Sequence, residues 1–108
     1  MPKAFVVLVT SPSRKHADRI AQALIEEKLA ACVNILPEIY SRYWWKGRIE
    51  HDRELLLIIK TIPSRYKALQ RRVQELHTYD APEVLAIPVS TGNPTYLKWL
   101  SESLKTKK

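Results

Sequence analysis

The apolar positions of the chain alternate between periods of about 2 and about 3.6, and each change of period marks an element. Residues 4–10 (AFVVLVT) are apolar without alternation, which predicts a strand buried on both faces. Ser11-Pro12-Ser13 ends it and offers Ser13 as the cap of a helix. There Ala17, Ile20, Ala21, Leu24 and Ile25 recur at i, i+3, i+4, i+7 and i+8 as one stripe, with Arg14, Lys15, Asp18 and Arg19 on the other side. Residues 31–60 then read as one long hairpin. Its tip, Trp45-Lys46-Gly47-Arg48, places a glycine where the reversal needs positive φ. The second arm runs Glu54-Leu55-Leu56-Leu57-Ile58-Ile59-Lys60, apolar on both faces and so central. The first arm mixes Asn34, Pro37 and Arg42 with Ile35, Ile39 and Tyr43, and so reads as an edge. Pro37 has no N–H for a ladder and predicts a bend or bulge about a third of the way along that arm. Ser64 is placed to cap a second helix with the stripe Tyr66, Leu69, Val73 and Leu76. Residues 77–82 form a loop and 83–89 a fourth strand, after which Asn93 as cap and Pro94 at the first helical position open a last helix carrying Leu97, Leu100 and Leu104.

The order β-α-β-β-α-β plus a C-terminal helix predicts an α+β, ferredoxin-like fold, and right-handed crossovers put the first and third strands in the centre. Both of those strands are apolar on two faces, yet two helices cover only one face of the sheet. The uncovered aliphatics are each worth about 1.5–3 kcal/mol if buried, so that face calls for a cover. Another subunit supplies it, or the last helix folds back over it.

Composition narrows the class. A chain of 108 residues, 45% hydrophobic, suits one domain with one core, residues 1–108. The apolar run after Met1-Pro2-Lys3 is far shorter than a signal-peptide core or a membrane span, and Cys32 is the single cysteine; a cytoplasmic protein without disulfides is expected. The net charge of +7 is read as a solvated lysine tail (Lys105, Lys107, Lys108) and a basic helix face at 65–72, with binding of a polyanion or acidic ligand as the alternative. RNA-binding domains with this fold carry aromatics on the central strands. Here those strands are aliphatic apart from Phe5, so nucleic acid is not an expected partner. No glycine-rich phosphate loop, no H-E-x-x-H and no nucleophile with a recognisable base occur, so no enzyme is expected.

Five stretches carry a family resemblance: residues 29–35 (LAACVNI), 43–50 (YWWKGRIE), Lys60-Thr61, 77–83 (HTYDAPE) and 96–100 (YLKWL). Together and in this order they resemble the CutA divalent-cation tolerance family over about the whole of residues 6–100. The resemblance implies a ferredoxin-like subunit in a PII-like homotrimer, with clefts between subunits, no membrane, and a role in tolerance to copper and other divalent ions. It implies Cu(II) or another divalent cation as ligand and no organic cofactor.

The same resemblance puts His77, Tyr79 and Glu83 beside the intersubunit cleft, with His77 and Glu83 as metal ligands. Imidazole and carboxylate together suit Cu(II) or Zn(II), and copper leads by intrinsic affinity. Two ligands are too few, so a third comes from a neighbouring subunit or water. Val9 stands where some members carry a thiol and Thr78 where proline is usual. The alternative for His77 is a helix C-terminal residue whose cation meets the last carbonyls or whose ring only packs in the cleft. Cys32, Tyr43, Trp45, Lys60 and Tyr79 are candidates for the cleft or a ligand: Cys32 as thiol or as small buried hydrophobe, the Tyr43-Trp44-Trp45 run as stacking surface or as intersubunit anchor. Lys60 and Arg65 hold an anion near the second helix or sit on an exposed face. His16 and His51 read as surface residues. A PII-like signalling or scaffold trimer, binding a small anionic ligand or a partner protein, is the competing function.

Overall fold

The computed structural model describes residues 2–105; the last two lysines of the expected solvated tail lie outside them. In chain order the elements are β1 (Phe5–Ser11), α1 (Arg14–Glu26), β2 (Cys32–Trp45), β3 (Arg48–Thr61), α2 (Pro63–Leu76), β4 (Val84–Pro88) and α3 (Pro94–Ser103). The strands form one antiparallel sheet in the order β2-β3-β1-β4, so the two strands apolar on both faces are the central ones and the ferredoxin-like topology holds.

One face of the sheet makes the core. Val7 and Val9 of β1 and Leu57 and Ile59 of β3 are fully buried against Ile20 and Leu24 of α1 and Leu69 and Val73 of α2. The opposite face is largely bare: Leu85 and Ile87 of β4 are 57% and 48% exposed. The last helix does not reach them. It seats Leu100 and Leu104 on Ala4, with Ala31, Ile62 and Val89 around them, at the end of the sheet.

The hairpin is the longest feature. Each arm has 14 residues, which at about 3.3 Å per residue spans about 46 Å and accounts for the 46 Å long axis of the chain. At its tip Lys46 (φ 51°) and Gly47 (φ 77°) both take the left-handed conformation, the two-residue turn whose twist matches an antiparallel pair. In β2 the register slips at Pro37: Leu36 faces Leu56 but Ile39 faces Glu54, so one extra residue is accommodated in the edge strand as a bulge.

Boundaries differ from the expectation at α2 and β4, and β1 is shifted by one residue to Phe5–Ser11. Ser64 is not the cap of α2; Ile62 is, with Pro63 at the first helical position and no side-chain cap. Proline lacks one of the donors a cap would satisfy and already holds the helical φ, so the helix starts two residues earlier. The fourth strand is shorter than residues 83–89, because only Val84–Pro88 has β1 as a neighbour. The caps of α1 and α3 are as expected: Ser13 Oγ accepts from the His16 N–H at 3.2 Å, and Asn93 Oδ1 from the Thr95 N–H at 3.0 Å.

Candidate functional site

Beyond Ser11, β1 ends while β3 and β2 continue, and the loop after α2 comes back to fill the corner. A groove of about 850 Å³ opens there, between residues 40–45 of β2 and residues 78–83 of the loop, with Thr10 and Glu54 also lining it. Tyr43, Trp45, Tyr79 and Glu83 all line it, so four of the seven predicted site residues are brought together. Cys32 and Lys60 are not among them. They face each other across β2 and β3 at the other end of the sheet, where Lys60 donates to Asn34 Oδ1 and its Nζ lies 4.0 Å from Cys32 Sγ. Six residues of extended strand, about 20 Å, separate Lys60 from Glu54. Arg65, the other candidate for an anion, donates instead to the Leu104 carbonyl at 2.6 Å and ties α2 to the end of α3.

His77 stands behind the groove with both ring nitrogens engaged. Nε2 is 2.7 Å from the Thr10 carbonyl, which can only accept, so Nε2 carries the hydrogen. Nδ1 then accepts the Tyr79 N–H at 3.1 Å. The neutral ring is thereby fixed as a splint between the end of β1 and the loop, and it contacts Tyr79 on one side and His16 on the other, each at a centroid distance of 4.6 Å. His16 is not a surface residue. It is 9% exposed, shares a 2.7 Å hydrogen bond between Nδ1 and Ser11 Oγ, and leaves Nε2 buried without a partner. Burial, then the neighbouring His77, hold its pKa below the usual 6.5. The signal was available: His16, Ile20 and Leu24 lie at i, i+4 and i+8, on the buried stripe of the helix.

The electrostatics of the groove are set by carboxylates. Glu54, only 6% exposed, accepts from the Tyr79 hydroxyl at 2.8 Å, and Asp52 accepts from the Tyr43 hydroxyl. Burial and that bond push the Tyr79 phenol well above 10, and the bond to Asp52 pushes Tyr43 up to about 12. Burial and the charge of Glu54 raise Glu83 above the usual carboxylate value. Asp80 adds a further acid, and Arg42 is the single cationic side chain in the lining. Glu54 is the residue the sequence reading missed. It opens the apolar run of β3 with the parity of Leu56 and Ile58, so alternation alone puts it on the uncovered face. On this chain's own charges the lining disfavours an anion at this position.

A metal centre needs more than this. Among the described residues no three or more His, Cys, Asp or Glu side chains converge on one point, and His77 can offer Nδ1 only by releasing the Tyr79 N–H. Within this chain the donor set is incomplete among the described residues.

Residues 5–103 match the family described as CutA1 divalent ion tolerance protein. The chain belongs to that family. It is 50% identical over 98 residues to the divalent-cation tolerance protein CutA of Thermus thermophilus, covering 91% of this chain and 95% of the relative. It is also 50% identical over 102 residues to a chloroplastic CutA 1 of Oryza sativa, covering 94% of this chain but only 58% of that longer relative. The solved structure of the Thermus thermophilus CutA1 superposes with a TM-score of 0.91 at 49% identity, over 93% of this chain and 97% of that one. A periplasmic divalent cation tolerance protein of Archaeoglobus fulgidus gives 0.92 at 38% identity, over 94% and 99%. The CutA1 fold is therefore shared over nearly the whole chain. The relatives' names span plastid and periplasm; among the described residues no helix is long and apolar enough to cross a membrane.

Proposed function

We propose that the protein binds divalent cations in clefts between the subunits of a homotrimer, acts by binding rather than catalysis, and works in the cytoplasm, where its free Cys32 stays reduced. The observation that carries this reading is the carboxylate-lined groove in a chain of the divalent ion tolerance family. Glu83 and Glu54 supply the oxygens, and a neighbouring subunit packed on the bare sheet face completes the donor set. Oxygen donors alone favour hard ions such as Mn(II) or Mg(II). Cu(II) is taken when His77 swings Nδ1 from the Tyr79 N–H to the ion.

Calorimetric titration of Cu(II) and Mn(II) into the wild type, Glu83→Gln and His77→Ala tests this. Saturable binding of both ions, weakened about tenfold or more by Glu83→Gln, with His77→Ala costing Cu(II) more than Mn(II), is the expected pattern. Binding that none of the substitutions alters would move the ion away from this groove.

A further inference from the structure

The groove holds more than a metal ion needs. Its carboxylates are interleaved with aromatic rings, Tyr43, Trp45 and Tyr79 among them, and its volume of about 850 Å³ lies in the range of sites that enclose organic ligands. Two of the phenols are tied down at their hydroxyl ends, Tyr79 to Glu54 and Tyr43 to Asp52. Each ring is thus oriented in advance with an anion at its rim, and Tyr79 has the His77 ring on one side only. A small hard metal ion gains little from ring faces. An alkylammonium uses both components, since its spread positive charge is attracted by the π faces and by the carboxylates together. Lys46 already shows the pairing: its ammonium lies 5.8 Å from the Trp45 ring centroid, near the outer limit of such contacts. On a chain of net charge +7 the lining holds three carboxylates, Glu54, Asp80 and Glu83, against the one cation Arg42, a local balance that favours cations.

We infer that the groove binds a small organic cation of the alkylammonium class, with Tyr43, Trp45 and Tyr79 as the aromatic walls and Glu54 and Glu83 as the counter-charge. This rests on the cation-binding reading above and names a second ligand class for the same groove.

Choline chloride is the probe, titrated into the full chain in its native assembly at constant ionic strength and followed by tryptophan fluorescence and by the ring resonances of the tyrosines. The uncharged isostere 3,3-dimethylbutan-1-ol is titrated in parallel. Saturable choline binding is expected, with the isostere weaker by about tenfold or more, because the charge is what the rings and carboxylates recognise. Glu83→Gln and Trp45→Leu are each expected to weaken choline by about tenfold; Glu83 is a surface side chain, so that variant keeps the fold if the hairpin variant does not. Equal binding of choline and the isostere would overturn the inference by showing a merely apolar groove. No response to choline alongside Mn(II) binding that depends on Glu83 would overturn it while leaving the metal reading standing, and no binding of either would remove both.

Discussion

At His77 the hydrogen-bond donors and acceptors around the ring decide what the imidazole can do. A carbonyl on Nε2 and an N–H on Nδ1 leave neither nitrogen free, so the ring braces the loop that carries Tyr79 and Glu83 before it can serve as a ligand. Its neighbour His16 links stability to pH. Its folded-state pKa is depressed below 6.5, so in the interval beneath that value the unfolded chain takes up a proton that the folded chain does not. The stability it confers is complete above pH 6.5 and is lost as pH falls through the folded value, with a slope of at most about 1.4 kcal/mol per pH unit for one proton. Urea unfolding midpoints measured between pH 7.5 and 5.5 are expected to fall on acidification, and to fall less steeply in His16→Gln. Identical slopes in the two proteins would mean that other groups carry the acid sensitivity.

At the scale of the element the hairpin shows what a pattern of residue types can and cannot reveal. Gly47 announced the reversal and Pro37 the bulge, because each rule concerns a backbone constraint local to that residue. Apolar runs without alternation likewise placed β1 and β3 in the centre. The groove was half legible: the family motifs pointed to Tyr79 and Glu83, whereas Glu54 and His16 become site residues only when β3 outruns β1 and α1 packs against the loop after α2. No local rule encodes those juxtapositions. Gly47 also gives a direct test of the turn. A Cβ built there meets nothing within 4 Å, so Gly47→Ala costs backbone strain alone. The expected loss is about 1–2 kcal/mol, read from thermal or denaturant unfolding. An unchanged midpoint would mean the turn relaxes to another form.

At the scale of the whole molecule, the subunit is unfinished on one side. Leu85 and Ile87 lie on a sheet face that no helix covers, and the far half of the hairpin, with Tyr40 and Trp44 76% and 72% exposed, extends past its own core. In water such a surface draws a partner, since each large side chain it buries is worth about 1.5–3 kcal/mol. The proposed trimer covers the face, anchors the hairpin and closes the cleft in which the carboxylates of the groove meet a second subunit. Solution mass is therefore the most direct measurement, by light scattering on the purified wild type beside a Leu85→Glu variant. A trimer gives three times the 12.5 kDa chain mass for the wild type, with a shift to smaller species in the variant. A wild-type protein that runs at the mass of a single chain would contradict the trimer, leaving the groove without the neighbour that completes it.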